Sequence, residues 1–121
     1  MSIGTATPAY RVTQAESFRL AGYHDRRIRR MFLNSGIDYR HFYFDGEPHL
    51  DETSDQLNER YLRGALQTGC RAARTCLDAA GVVPSDVDLL VVCTSTGYVC
   101  PDIGTRLIGH MGFRPDVQRA P

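Results

Sequence analysis

The stretch that decides the fold reads VVCTSTGYVCP and occupies residues 91–101. Its first residues continue an apolar run that begins at Leu89, and an unbroken apolar run is typical of a strand buried on both faces. The following residues, Thr94 to Pro101, carry three aliphatic hydroxyl groups, the phenol of Tyr98 and a thiol. Ligands in open α/β sheets gather at the carboxyl ends of strands. The sequence therefore predicts a buried strand over 88–94 that delivers a polar loop to a functional edge.

Helices are predicted on both sides of this strand. One runs from about Asp55 to Ala80, begins with a capping box of Thr53 and Gln56, and ends at Gly81. Another runs over 102–111 and closes at Gly112, and residues 113–121 are interpreted as the approach to a strand that the chain does not reach. The alternation of strands and helices predicts a layered α/β architecture.

The amino-terminal part shows weaker signals. Residues 2–8 suggest a short strand that ends at Pro8. A capping box of Thr13 and Glu16 predicts a helix that is interrupted near Gly22 and continues over 24–33. An aromatic, roughly alternating segment predicts a strand over 37–44, and residues 45–51 indicate an acidic loop.

Composition narrows the classes of protein. Of 121 residues, 42% are hydrophobic and 23% are charged, which is usual for a globular chain. Fourteen basic and fourteen acidic residues cancel, so nothing favours nucleic acid as a partner. No apolar run approaches the ~20 residues of a membrane span, and no secretory leader is evident. We therefore expect a cytoplasmic protein whose four cysteines are buried free thiols.

Two groups of residues are candidates for chemistry. The hydroxyl-rich loop with Ser95 and Thr96 suits a neutral pocket wall, although a polar turn explains it equally well. The run Arg26-Arg27-Ile28-Arg29-Arg30 places Arg27 and Arg30 on one helix face, where two guanidinium groups can hold phosphates. The alternative is a solvated surface paired with Asp25 or Glu16.

Other chemistries find little support in the sequence. Cys100 as a nucleophile needs a base, and His110 lies ten residues further on within a helix. The four histidines lack the spacing of zinc ligands, so no metal site is expected. The sequence contains no GxGxxG or GxxxxGK[ST] motif.

Taken together, several segments resemble chalcone and stilbene synthases, the type III polyketide synthases, and bacterial members more than plant ones. They are residues 3–8, the basic run from Arg27 to Ile37, CTSTG at 93–97 with Pro101, and the segments 112–115 and 117–119. The resemblance implies the amino-terminal half of a thiolase-like layered fold, with residues 1–121 ending before the strand of the nucleophile. It also implies a homodimer that condenses acyl-CoA with malonyl-CoA and needs no metal or bound cofactor.

The same resemblance assigns roles to single residues. Arg27 and Arg30 match positions that contact the coenzyme A phosphates, and Asn34 stands where a third basic residue is frequent. Ser95 and Thr96 match positions that line the substrate pocket. Cys100 matches the residue that reaches into the partner subunit's pocket, and a cis bond to Pro101 is implied.

The family's nucleophilic cysteine, its histidine and its asparagine match no residue of 1–121, so the chain offers no catalytic residue and is expected to be silent alone. Three hypotheses follow. The first is the amino-terminal portion of a type III polyketide synthase, as a fragment or as a part that is complemented by a carboxyl-terminal chain. The second is a non-catalytic, truncated homologue that binds coenzyme A thioesters or a synthase. The third is a ketoacyl-carrier-protein synthase, which shares the fold, although the opening and GFRP motifs weigh against it.

Overall fold

A computed structural model describes residues 1–43 and 51–120. The chain forms two compact units: residues 7–52 make up one, and residues 1–6 together with 53–121 make up the other. Residues 44–50 lie outside the described part of the chain. They include the last residue of the predicted strand over 37–44 and all of the predicted loop over 45–51 except Asp51.

The unit of residues 7–52 is a two-stranded antiparallel sheet with two helices. Its elements are strand β1 (Tyr10–Thr13), helix α1 (Gln14–Leu20), helix α2 (Arg26–Leu33) and strand β2 (Tyr39–Phe42). β1 pairs with β2 so that Thr13 lies opposite Tyr39. Helix α1 begins where it was predicted, because Thr13 Oγ1 accepts from the backbone N–H of Glu16 at 3.1 Å.

The predicted break between the two helices is also confirmed. Gly22 has φ +69°, a left-handed conformation that glycine adopts without steric cost. Asp25 then caps α2, since its Oδ1 accepts from the backbone N–H of Arg27 at 2.6 Å. The helices pack through the rings of Phe18 and Phe32, which meet edge to face with centroids 5.6 Å apart.

The second unit is built around one long helix. Its elements are helix α3 (Ser54–Ala80), a 3-10 turn at Pro84–Asp86, strand β3 (Leu89–Val91), helix α4 (Ile103–Met111) and strand β4 (Gln118–Ala120). The capping box of Thr53 and Gln56 is present, and Gly81 ends α3 at φ +68°. β3 pairs with β4 in parallel. The predicted alternation of helix and strand is therefore confirmed in this unit.

The buried side chains of this unit come mainly from α4 and the segment after it. Ile103, Leu107, Phe113 and Val117 are all buried. Helix α4 lies close to α3 and to the end of β3, because a Cβ on Gly69 of α3 would be 3.4 Å from Leu107 Cδ2 and one on Gly104 would be 3.4 Å from Val92 Cγ2. Small residues at both positions permit this close packing.

The amino-terminal segment differs from its prediction. Residues 1–8 form no strand among the described residues, and the first strand is β1. The start of the segment instead lies against α3: Ser2 Oγ donates to the backbone oxygen of Cys76 at 2.9 Å. Exposure alternates along residues 1–8 because every second side chain is partly covered. An extended segment packed on a helix gives this pattern as readily as a strand in a sheet does.

Two predictions about the strands of this unit are wrong. β3 is not buried on both faces, since Leu89 is 51% exposed and Val91 is 59% exposed. Among residues 1–43 and 51–120, β3 pairs with a single strand, β4. The expectation that residues 113–121 stop short of a strand also fails, because Gln118–Ala120 already pair with β3.

Candidate functional site

The first candidate surface is the basic face of α2, which we define as Arg26, Arg27, Arg29 and Arg30. All four side chains are exposed. Helix α2 contains no acidic residue, and its opposite face carries the half-buried Ile28 and Phe32 against α1. Helical periodicity thus turns Ile28 and Phe32 away from the solvent and leaves the guanidinium groups in water.

Neither Glu16 nor Asp25 forms an ion pair with the basic face, because each carboxylate has another partner. Glu16 accepts from Arg19 Nη2 at 2.7 Å, and this hydrogen bond lowers the pKa of the Glu16 carboxyl. Asp25 caps the helix by accepting from the backbone of Arg27 and Ile28. Among the described residues, no ion pair engages the four arginines. The alternative interpretation is therefore correct about a solvated surface and wrong about a pairing with Asp25 or Glu16, and the positive charge remains available for an anion.

The basic face borders two open depressions. Arg26, Arg27, Arg30, Met31 and Asn34 line the first. The second lies along the neighbouring flank and is lined by Arg26, Arg29, Arg30, Leu33 and Asn34. Met31 is 72% exposed, so the first depression offers an apolar contact beside two or three positive charges. The first depression therefore combines positive charge with an apolar surface.

The second candidate surface is the hydroxyl loop, defined as residues 94–101, which connects β3 to α4. Ser95, Thr96 and Cys100 are all exposed, so none of them is sealed inside the unit. The bond between Cys100 and Pro101 is cis, as the resemblance implied. Arg27 and Arg30 belong to one compact unit and these three residues to the other.

Sequence reasoning missed how the hydroxyl loop is held. The hydroxyl oxygen of Tyr61, on α3, lies 2.7 Å from Thr94 Oγ1 and shares a hydrogen bond with it. The backbone N–H of Thr96 donates to the same Thr94 oxygen at 3.4 Å. Tyr61 lies at helical spacing from Leu57 and Ala65, and such a pattern indicates a helix face but identifies no partner 33 residues away.

Helix α4 begins directly after the hydroxyl loop. Asp102 Oδ1 accepts from the backbone N–H of Thr105 at 2.6 Å, and this bond is the main reason that the pKa of Asp102 is lowered. Thr105 Oγ1 in turn accepts from Arg119 at 2.6 Å. The loop therefore leads into a well-capped helix that is also tied to β4.

The cysteines behave as free thiols, but their burial differs from the prediction. All four are unpaired: Cys70 and Cys76 are half-buried, whereas Cys93 and Cys100 are exposed. In the described part of the chain, no hydrogen bond joins Cys100 to His110, and the His110 side chain is exposed. Exposure of Cys93 has the same cause as exposure of β3, namely that one face of the strand lacks cover.

The described residues contain neither a cluster of metal-binding side chains nor a membrane-spanning helix. Over residues 1–43 and 51–120, no three His, Cys, Asp or Glu side chains lie close enough together to hold a metal ion. Within the same ranges, no helix has both the length and the apolar character needed to span a membrane.

The sequences of curated relatives align with nearly the whole of this chain. A 3,5-dihydroxyphenylacetyl-CoA synthase from Amycolatopsis orientalis is 34% identical over an alignment of 122 positions that covers 98% of this chain and 33% of the relative. A 1,3,6,8-tetrahydroxynaphthalene synthase from Streptomyces peucetius subsp. caesius is 31% identical over 99% of this chain and 34% of its own length. The chain thus spans about a third of the relatives that it matches. No protein-family model matches it.

Solved structures agree with these relatives. The crystal structure of PKS-I from the brown alga Ectocarpus siliculosus matches 98% of this chain and 37% of its own, with a TM-score of 0.80 and 25% identity. A fungal type III polyketide synthase, ORAS, matches with a TM-score of 0.83 at 17% identity, which shows the shared thiolase-like fold. The chain therefore matches the amino-terminal third of type III polyketide synthases and shares their fold over that third.

Proposed function

We propose that this chain is the amino-terminal portion of an acyltransferase that condenses acyl-CoA with malonyl-CoA in polyketide biosynthesis. The observation that carries the proposal is an alignment over nearly the whole chain, at 31–34% identity, with synthases named for polyketide products. The two candidate surfaces support it, because one suits a phosphorylated carrier and the other suits a neutral substrate.

In this proposal, Arg27 and Arg30 hold phosphates of coenzyme A. They stand on successive turns of α2, are exposed, and face no acidic partner among the described residues. Guanidinium groups form short, charge-assisted hydrogen bonds with phosphate oxygens and remain charged at all physiological pH values. Asn34, which lines the same depression, contributes an amide where relatives frequently carry a third cation. Coenzyme A is a substrate carrier here, and no bound cofactor is required.

Ser95, Thr96 and Cys100 serve as walls of the substrate pocket. Their hydroxyl and thiol groups offer hydrogen bonds without a fixed charge, which suits a carbonyl-rich chain. Cys100 extends toward the partner subunit of a homodimer. Support comes from the exposure of all three side chains on one loop.

The family resemblance implies that catalysis requires residues outside 1–121. In this proposal, the cysteine nucleophile, the histidine and the asparagine of the family lie beyond these residues, so we expect the chain alone to give no product. A complementary carboxyl-terminal part provides them in the working enzyme. Four free thiols fit a reducing compartment such as the cytoplasm, where we place the reaction.

A chimaeric enzyme tests this proposal directly. Residues 1–121 replace the matched third of the Amycolatopsis orientalis synthase, and product formation from acyl-CoA and malonyl-CoA is followed by mass spectrometry. In a parallel experiment, this chain is mixed with the separately expressed remainder of that synthase. We expect turnover in at least one format and none from the chain alone. A folded chimaera and a folded complex that both lack activity would overturn the proposal.

The basic face also favours a second function, that of a non-catalytic homologue that binds coenzyme A thioesters or a synthase. Arg27 and Arg30 lie within this chain and need no other residues to attract a phosphate. An inactive chimaera, together with coenzyme A binding by the chain alone that is lost in Arg30→Ala, would favour this function over the first.

A further inference from the structure

The hydroxyl loop has two anchor points on one side chain of α3. At the first, Tyr61 OH and Thr94 Oγ1 share a hydrogen bond at 2.7 Å. At the second, Gly97 lies directly on the Tyr61 ring, since a Cβ built on Gly97 would be 2.6 Å from Cε1 and 2.8 Å from Cγ of that ring. The two residues between these anchors are Ser95 and Thr96.

We propose that Tyr61 is a positioning residue that fixes Ser95 and Thr96 and thereby determines which acyl starter the pocket selects. The inference rests on the proposed function, because it treats the loop as part of a synthase pocket. Ser95 and Thr96 are exposed, so no surrounding core fixes their backbone. The Tyr61 contacts therefore supply the order that a selective pocket wall requires.

The hydroxyl group of Tyr61 separates positioning from simple packing. Ring packing on Gly97 would be satisfied equally well by phenylalanine, which has the same ring and no hydroxyl. The 2.7 Å hydrogen bond to Tyr61 fixes the orientation of the Thr94 hydroxyl. Because the backbone N–H of Thr96 donates to the same oxygen, the bond also restrains the backbone of Thr96. Thr94 Oγ1 is thus a junction between helix and loop.

The first arm of the test uses the 121-residue chain itself. Backbone order parameters of residues 95–97 are measured by ¹⁵N relaxation in the wild type and in two variants that each remove one hydroxyl, Tyr61→Phe and Thr94→Val. We expect the order parameters of residues 95–97 to be about 0.85 in the wild type and to fall below about 0.6 in each of the two variants. Thr94→Ser, which keeps the hydroxyl, should retain the wild-type order. Tyr23→Phe is the matched control, because its hydroxyl has no hydrogen bond among the described residues. Unchanged order in both hydroxyl-removing variants would overturn the proposal.

The second arm uses the chimaera and compares kcat/KM for hexanoyl-CoA with kcat/KM for benzoyl-CoA. Tyr61→Phe is expected to change this ratio roughly three- to tenfold, since a hydrogen bond contributes about 0.5–1.5 kcal/mol net. Thr94→Val is expected to shift it in the same direction, and the double variant no further. A loss of activity that lowers both constants equally would indicate a structural role alone and would overturn the selection role.

The two proposals fail in distinguishable ways. A folded parent chimaera and a folded complex that are both inactive contradict the synthase function and with it the selection role, while the relaxation arm still decides whether Tyr61 orders the loop. An active parent chimaera in which Tyr61→Phe leaves the starter ratio unchanged contradicts only the role of Tyr61.

Discussion

Gln14 donates through its side-chain nitrogen to the backbone oxygen of Phe32 at 2.9 Å, and so joins the first turn of α1 to the last turn of α2. The same nitrogen donates to Ser35 Oγ at 2.9 Å, and the side-chain oxygen accepts from Arg40 Nε at 2.8 Å. Gln14 is only 4% exposed. One buried amide thus sets the position of the helix that carries the basic face.

Replacing this amide should loosen the unit of residues 7–52. We expect Gln14→Ala to lower the free energy of unfolding by about 1–3 kcal/mol, because it leaves Arg40 Nε without its acceptor and empties a buried site, although the Phe32 carbonyl keeps its bond from Ser35 Oγ at 2.7 Å. Urea unfolding followed by circular dichroism measures the change. Asn58→Ala, on the exposed surface of α3, is the control and should change stability by less than about 0.5 kcal/mol.

Removing a cation from the basic face should weaken coenzyme A binding. We expect Arg30→Ala to reduce the affinity roughly tenfold, because a charge-assisted hydrogen bond contributes about 1.4 kcal/mol at such a site. Isothermal titration calorimetry gives the affinity. Added salt should weaken the wild type more than the variant, since exposed charges are screened.

The matched control for this prediction is Arg63→Ala, which removes an exposed arginine from α3 in the other unit. Its affinity should equal that of the wild type. Equal affinity of Arg30→Ala and the wild type would remove the proposed phosphate role.

Local signals account for what the sequence could predict. The boundaries of α3 follow from Thr53, Gln56 and Gly81, whose side chains or backbone preferences act within four residues of the helix ends. The break at Gly22 and the stop at Gly112 are of the same kind. Such features need no knowledge of the rest of the fold.

What the sequence could not predict depends on contacts between distant residues. Strand β1 is short, and its register is set by pairing with β2. The bond from Tyr61 to Thr94 spans 33 positions, and the bond from Gln14 to Arg40 spans 26. The apolar run at β3 predicted cover on both faces, but a sequence pattern states what a strand can bury and not what lies beside it.

Glycines test how closely the segments of the larger unit approach one another. A Cβ on Gly4 would be 2.5 Å from Cys76 N and 2.9 Å from Cys76 Cβ, within the backbone of α3. We expect Gly4→Ala to displace residues 1–6 from the helix and to lower stability by about 1–3 kcal/mol. The rate of Cys76 modification by a thiol reagent should rise at the same time.

The control glycine lies on the exposed surface of α4. A Cβ on Gly109 meets no atom within 4 Å, and its backbone is helical. Gly109→Ala should therefore stabilise the chain by about 0.5–1 kcal/mol, through the lower backbone entropy of alanine. If both alanines changed the thermal midpoint equally, the close approach of Gly4 to α3 would be refuted.

The N-cap of α4, Asp102, should make the stability of the chain depend on pH in the acidic range. The pKa of Asp102 is lowered, first by the backbone hydrogen bond from Thr105 and also by the charge of Arg119. Because the folded pKa lies below the unfolded one, the stabilisation is complete above the unfolded pKa of ~3.9 and is lost as the pH falls through the folded pKa. Asp102→Asn keeps a capping oxygen that does not titrate. The difference in melting temperature between the wild type and Asp102→Asn should therefore shrink from about pH 6 to about pH 2, and a difference that grows toward acid would contradict this assignment.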